Sequence, residues 1–222
     1  MYCITVRGSS RAPVVKSELA RVGLLETTTV LTFERNVEDG KHGCFTSHQE
    51  ALKRGLDDKA DAITIFEDDV IFRNRGDLHA LLTQAKAIVR SRPDSLVALG
   101  GLLMAPTGGR VEGYPHFRYV PWACTHAYVV SPVMARKIGA LRYENEHIDA
   151  VIKTHYGHAM IACVPSVAFQ RPYYSAAELT LTEATYYYRA LIVGRNMISP
   201  TVVQLAFEYF FRTIGFLKAC KA

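Results

Sequence analysis

The chain has 222 residues, 49% of them hydrophobic, with a formal net charge of +5 at neutral pH. This length admits one large domain or two small ones, and the composition supplies a full core. The mild positive charge suits anionic partners such as a sugar nucleotide or an acidic membrane face, but no block of Lys or Arg marks a nucleic-acid groove, so no nucleic-acid partner is expected. The five cysteines (Cys3, Cys44, Cys124, Cys163 and Cys220) are odd in number, scattered and without a C-x-x-C pair. That argues against a disulfide framework or a structural zinc site. With no signal-peptide pattern at the N-terminus, reduced thiols and a cytoplasmic location are expected.

Taken in order, Cys3 to Val6 predicts a first strand, followed by the polar turn Arg7-Gly8-Ser9-Ser10-Arg11 with two cations. Val14 to Leu25 reads as a helix and Thr28 to Phe33 as a second strand. Asn36 to His42 is polar and contains glycine, which predicts a loop. Ser47-His48-Gln49-Glu50 has the spacing of a capping box, with Ser47 as N-cap. Ala62 to Phe66 is rich in β-branched and apolar types and predicts a buried strand. That strand runs straight into Glu67-Asp68-Asp69, after which Val70-Ile71-Phe72 is apolar again. The helix, strand, helix rhythm predicts a parallel sheet.

Asp77 is placed to cap the next helix, whose apolar stripe is Leu78, Leu81, Leu82, Ala85, Ile88 and Val89. Pro93 ends it, and Leu96 to Leu99 forms a short strand. Residues 105–115 are rich in Gly and Pro and predict a surface excursion or an acceptor-side lid. A strand lies within Val120 to Val130, and Ser131-Pro132 opens a helix with its cap and first-turn residues in preferred places. Trp122, the only tryptophan, suits a core position or stacking on a sugar face. Glu144 to Asp149 is a second acidic cluster at a helix start, readable as capping or as a general base. Ala159 to Val164 predicts a last strand. The tail, from Ser199-Pro200 to Leu217, reads as a helix apolar over most of its circumference. Glu208 and Arg212 interrupt it, which argues against a membrane span. It is expected to pack on the domain or on a neighbouring domain, with peripheral membrane contact as the lesser option.

Three adjacent carboxylates repel one another and resist burial unless something positive neutralises them. In an open α/β sheet the carboxyl end of a strand is where ligands bind. Mg²⁺ and Mn²⁺ prefer oxygen ligands and are commonly held by one or two carboxylates plus substrate phosphates. The cluster is therefore either a metal–diphosphate site or a solvated acidic turn. Its apolar flanks on both sides favour the site.

A series of motifs then falls in order: Gly43-Cys44-Phe45-Thr46-Ser47-His48, Ile65-Phe66-Glu67-Asp68-Asp69-Val70, Thr125 to Ser131, His147-Ile148-Asp149, and Pro165 with Gln170 and Ser175. Over Met1 to Ser175 this order resembles glycosyltransferase family 25, the group of lipopolysaccharide-biosynthesis and collagen galactosyltransferases. The resemblance implies a single GT-A (Rossmann-like) α/β domain over residues 1–180, with a mostly parallel central sheet flanked by helices. Residues 181–222 then form an apolar C-terminal helical extension. It implies a metal-dependent inverting enzyme that moves a hexose from a nucleoside-diphosphate sugar, most readily a UDP-sugar, to a glycan or glycoprotein acceptor, with Mn²⁺ or Mg²⁺ as cofactor. The acidic triplet would match a D-x-D-type motif with Glu67 and Asp69 as outer members. Asp69 and Glu67 are then metal ligands, with His155, His158 or His48 to complete the shell and His155 as first choice. Asp149 is the expected base, with Glu146 second, and Arg7, Arg11, Glu67 and Asp68 are expected around the diphosphate. The family's usual Asn-Leu after the first strand is Val6-Arg7 here. A nucleotide-sugar hydrolase or nucleotidyltransferase, or a non-catalytic sugar-binding domain, is the alternative.

Overall fold

The computed structural model describes residues 1–73, 75–104 and 108–170. The expected apolar C-terminal helix and the 181–222 extension lie outside these. In chain order the elements are β1 (Tyr2–Val6), α1 (Arg11–Arg21), β2 (Thr29–Phe33), α2 (Gly40–Asp57), β3 (Ile63–Glu67), β4 (Val70–Phe72), α3 (Arg75–Ser91), β5 (Leu96–Ala98), β6 (Leu102–Leu103), β7 (Arg110–Val111), β8 (Tyr114–Tyr119), β9 (Trp122–Ala123), β10 (Ala127–Val130), α4 (Pro132–Gly139), α5 (Ile148–Tyr156), β11 (Met160–Cys163) and β12 (Ala168–Gln170).

Eight strands form the central sheet in the order β2-β1-β3-β10-β5-β11-β8-β7. β1 pairs in parallel with β2 and β3, and β5 with β11, while β10 and β8 run antiparallel to both of their neighbours. All strands but β10 and β8 therefore point one way. Period-two alternation divides the core between the two faces. Phe66, Val97, Val129 and Ile161 pack with Val15 and Leu19 of α1 and Leu78, Leu82 and Ile88 of α3. Ile63, Ile65, Ala98 and Tyr128 pack on the other face with Leu52 of α2, Met134 and Ile138 of α4 and Ile152 of α5. The α/β class expected from the helix–strand rhythm is thus realised as a mixed sheet, mostly parallel in strand direction.

Several boundaries differ from the sequence reading. Helix α2 starts at Gly40, with Asp39 as N-cap accepting from the His42 amide at 3.0 Å. Ser47 lies inside the helix, and its hydroxyl donates to the Gly43 carbonyl at 2.7 Å instead of capping. The polar residues and Gly40 of the Asn36 to His42 stretch lower helix propensity, which is why its end reads as loop. Helix α3 begins at Arg75, so Asp77 falls within its first turn and not at its cap. The glycine-rich stretch after Pro106 is in part a β7–β8 hairpin on the sheet edge, turning at Gly113 with φ of 77°. The single strand expected between Val120 and Val130 is two, β9 and β10, interrupted at Cys124 with φ of 70°. Trp122 is fully buried and its indole N–H donates to the Ile161 carbonyl at 3.1 Å, which makes it a core residue and removes it from sugar stacking.

Gly100, just past β5, is held where no side chain fits. A Cβ there would stand 1.7 Å from the Ala168 carbonyl oxygen and 2.8 Å from His126 Nε2. Because the obstacle is backbone, rotamer changes cannot relieve it. Gly100→Ala is expected to destabilise the fold by about 3 kcal/mol in chemical denaturation. Gly139→Ala, at a helical position whose added Cβ meets nothing, is expected to raise stability by up to ~1 kcal/mol.

Candidate active site

The register of β1 against β3 sets Ile4 opposite Glu67. The loop after β1 and the acids after β3 therefore emerge side by side at the carboxyl end of the sheet. Alternation then sends consecutive acids to different surroundings. Glu67 follows Ile63 and Ile65 toward the α2 face. There its Oε1 accepts from Thr125 Oγ1 at 2.6 Å and lies 3.2 Å from His48 Nε2. His48 is fully buried on α2, and its Nδ1 is 3.0 Å from the Tyr128 hydroxyl. Burial opposes the charge on both partners. For Glu67, the hydrogen bond and charge of His48, with the Thr125 hydroxyl, outweigh it and pull the carboxyl down to about 2. For His48, Tyr128, Cys44 and Glu67 outweigh burial and hold the imidazole well above its ordinary range. The pair is an imidazolium–carboxylate in which His48 is fully buried and Glu67 half-buried.

Asp68 turns to the other side. Its Oδ2 accepts from Thr5 Oγ1 at 3.0 Å and Ser9 Oγ at 3.3 Å. Asp69 Oδ2 accepts from Gln170 Nε2 at 3.0 Å. Arg11, the first residue of α1, places Nη1 3.6 Å from both Asp68 Oδ1 and Asp69 Oδ2. Asp69 is only 5% exposed, and among the described residues its Oδ1 has no hydrogen-bond partner. Burial first, and the neighbouring Glu67 charge second, push its carboxyl up to about 7, against the pull of Gln170 and Arg11. A buried carboxylate oxygen with no donor, in a cluster of acids, is an unfinished arrangement. His126 is buried, and that burial pushes its imidazole below the ordinary value against the pull of the Glu67 charge; its Nε2 lies 3.3 Å from the Ala168 carbonyl.

Asp149 stands at the first turn of α5, half-buried. Its Oδ2 accepts from the Cys124 amide at 2.8 Å and its Oδ1 from the Ala150 amide at 2.9 Å. Cys124 precedes Thr125, so Asp149 is joined through one peptide to the Glu67 network. Glu146 is exposed in the turn before α5. His155 is exposed in the last turn of that helix, six residues beyond Asp149 and on the order of 9 Å further along the axis. Its ring lies beside Tyr156, so it is not brought to the acids. His158 is likewise exposed past the end of α5. Arg7 pairs with Glu34 at the surface, beyond the end of β2. Sequence reasoning gave no role to Thr5, Ser9, Thr125 or Gln170, which hold the carboxylates. Thr125 and Gln170 stood in the ordered motifs and Ser9 in the polar turn after β1, but nothing in the sequence tied them to the acids.

The donor set suits a hard divalent cation. Asp68 and Asp69 offer oxygen ligands, and the unpartnered Asp69 Oδ1 is the kind of atom such an ion satisfies. Among the described residues no three His, Cys, Asp or Glu side chains are arranged to hold a metal by themselves. The remaining ligands would have to come from elsewhere, as they do where Mg²⁺ or Mn²⁺ is shared with substrate phosphates.

Residues 27–95 match the family described as Glycosyltransferase family 25 (LPS biosynthesis protein), a span that includes His48 and Glu67-Asp68-Asp69. Over 114 residues the chain is 36% identical to a Bos taurus protein named "Probable inactive glycosyltransferase 25 family member 3". That match takes in 47% of this chain and 18% of the relative, so the chain spans under a fifth of the relative's length. Among solved structures, A197 from STIV superposes with a TM-score of 0.49 at 14% identity, covering 78% of this chain and 85% of that one. Mannose-1-phosphate geranyltransferase from Thermus thermophilus does so with a TM-score of 0.45 at 11% identity, covering 76% and 75%. Both the family match over residues 27–95 and the 36% identical stretch are thus similarities to glycosyltransferase family 25.

Proposed function

We propose that this chain is a metal-dependent, inverting glycosyltransferase that moves a hexose from a nucleoside-diphosphate sugar, with a UDP-sugar as the first candidate, to a glycan or glycoprotein acceptor. The observation that carries the reading is Asp69 Oδ1, buried and unpartnered beside Asp68 at the carboxyl end of β3. Asp68 and Asp69 would hold Mn²⁺ or Mg²⁺, which when bound supplies positive charge to the departing diphosphate. Thr5, Ser9 and Gln170 orient those two carboxylates. Glu67, paired with His48, fixes the Thr125 loop beside them. The GT-A assignment for residues 1–180, the cytoplasmic location and the packing of 181–222 on a neighbour or a membrane face belong to the same proposal.

Asp149 is the base in this reading. Its two backbone hydrogen bonds fix the carboxylate while leaving lone pairs on both oxygens, so it can take the proton of an acceptor hydroxyl. Glu146, exposed in the turn just before it, is second. Asp149→Asn is expected to lower transfer by ~10²–10⁴-fold with donor affinity retained, checked by initial rates and calorimetry on one preparation.

The deciding experiment titrates the protein with UDP-, GDP- and CDP-sugars, with and without Mn²⁺. Metal-dependent binding of one donor supports the reading. Full-rate donor hydrolysis that ignores every acceptor would move the chain to the hydrolases. The name of the bovine relative supports a second reading, a domain that binds a sugar nucleotide without transferring it. Donor binding with no turnover across an acceptor panel would establish that one.

A further inference from the structure

The β7–β8 hairpin carries a charge arrangement that the acidic site does not use. Its register sets Arg110 directly opposite Arg118. Residues so opposed stand about 5 Å apart at Cβ on one sheet face, and like charges there are destabilising. Arg110 is exposed and Arg118 half-buried. Among the described residues neither guanidinium has an acidic partner. Glu112, the one acid of the hairpin, lies at its turn. Strand pairing places the two arginines in the fold. Ile65, Tyr128, Ala98, Ala162, Arg118 and Arg110 form one row across the sheet. The first four pack on the face that holds α5, whose first turn carries Asp149. Both arginines therefore stand on that face. His116, two residues before Arg118 on the same face, is exposed and lies nearer the carboxyl end of β11, where its carbonyl accepts from the Val164 amide. In the sheet order β8 lies four strands from β3. At ~4.8 Å per strand, Arg118 is about 19 Å from the strand that carries the acids. A diphosphate seated on the acids does not reach that far, so an anion held by the hairpin is a different group.

We propose that Arg110 and Arg118, with His116 beside them, bind an anionic substituent, carboxylate or phosphate, on the acceptor glycan, several sugar units from the hydroxyl that reacts. This rests on the reading of the chain as a glycosyltransferase. The guanidinium fork pairs two oxygens of either anion. A glycan that runs from Asp149 along the α5 face toward the sheet edge brings its charge to the two arginines. The anion then offsets their mutual repulsion, so a pair that weakens the hairpin by itself strengthens it in the complex.

The test is calorimetry on the full chain at low ionic strength, with two pairs of probes. One pair is tetragalacturonate and its methyl ester; the other is pentamannosyl phosphate before and after phosphatase treatment. Wild type is expected to bind one charged probe about tenfold more tightly than its uncharged counterpart, and the pair that shows the preference names the anion. Arg110→Thr should weaken that probe about tenfold and, by removing the repulsion, raise the urea midpoint. Arg118→Lys, which keeps the charge but lacks the fork, should lose only part of the affinity. Arg110→Thr combined with Arg118→Gln should bind charged and uncharged probes alike. Equal binding of both forms by folded wild type, unchanged affinity in Arg110→Thr, or a fall in its urea midpoint would overturn the subsite. The sugar-nucleotide titration separates this failure from failure of the transferase reading. Donor binding should be the same in Arg110→Thr as in wild type. A wild type that binds donor without any charge preference among the glycans overturns the subsite alone. Charge-dependent glycan binding by a protein that binds no donor overturns the transferase reading and, with it, the acceptor assignment.

Discussion

Asp69→Asn is expected to abolish metal-dependent donor binding, reduce transfer by at least ~10²-fold, and at the same time stabilise the protein above pH 7. The loss follows from removing the charged oxygen that would meet the cation, since a preorganised charge at a leaving group is commonly worth about 10²–10³-fold. The gain follows from the environment of Asp69. Burial and the Glu67 charge raise its carboxyl from the ordinary 3.8 to about 7. A group whose folded value lies above its unfolded value contributes stability that is fully present below pH 3.8 and is lost as pH rises to about 7. Wild type should therefore lose stability across that window, by an amount on the order of 2–4 kcal/mol. Asparagine can still meet Gln170 and carries no charge, so the variant should lack this decline. Urea unfolding at several pH values between 4 and 8 checks the slope, and the donor titration checks the loss. A decline of the same size in Asp69→Asn would assign the pH dependence to another group. Saturating Mn²⁺ should flatten the wild-type curve, because a ligand that binds only the folded state stabilises it by mass action.

The second large effect is expected at His48. Its imidazolium is buried between the Tyr128 hydroxyl and the Glu67 carboxylate. Removing one partner of a buried ion pair leaves the other charge uncompensated, at a cost of about 3–5 kcal/mol. His48→Ala should reach that range and bring Glu67 back toward neutrality. His48→Ala combined with Glu67→Gln should cost less than the two single changes added together, because both remove the same interaction. The pH limits of this pair differ from those of Asp69. The raised His48 value gives stability present below pH 6.5 and lost as pH rises through its folded value. The lowered Glu67 value gives stability present above pH 4.5 and lost as pH falls toward about 2. The contribution is whole between pH 4.5 and 6.5. A thermal-melting series over a wide pH range separates it from the Asp69 slope, which runs through that interval and disappears in Asp69→Asn.

These two residues also mark what the sequence could and could not disclose. The β-branched run from Ile63 to Phe66 declared a buried strand, and the placement of charge just after it declared a strand-end site. Repulsion among neighbouring acids is a one-dimensional property, readable without coordinates. What each acid touches is not. The alternation that turns Glu67 toward α2 and Asp68 toward β1 depends on the strand ending at residue 67, a boundary that patterns locate only approximately. Gln170 reaches Asp69 from 101 residues away, through a strand pairing that no local spacing encodes. Helix α2 was misread for a nearer reason. The polar run Asn36 to His42, with Gly40 in it, suggested a loop, yet it opens the helix, and Gly43 just beyond is required because a Cβ there would stand 2.9 Å from the Asn36 Cβ. The reversed direction of β10 was likewise invisible, since its apolar run Tyr128-Val129-Val130 would serve a strand of either sense.

The way the acids are held bears on when the site can exist as the chain folds. The side-chain bonds to Asp68 and Glu67 close over sequence separations of 63, 59 and 58 residues, and the bond to Asp69 over 101. Each such closure costs chain entropy before its contact returns any energy. Until Gln170 has been synthesised and β12 has paired with β4, Asp69 lacks the neutral donor that holds it among the described residues. The three acids then form an open, solvated, self-repelling turn at the end of a strand. During synthesis from the ribosome the charged centre is accordingly the last part of the described fold to close, and sheet and helices can be in place before it exists.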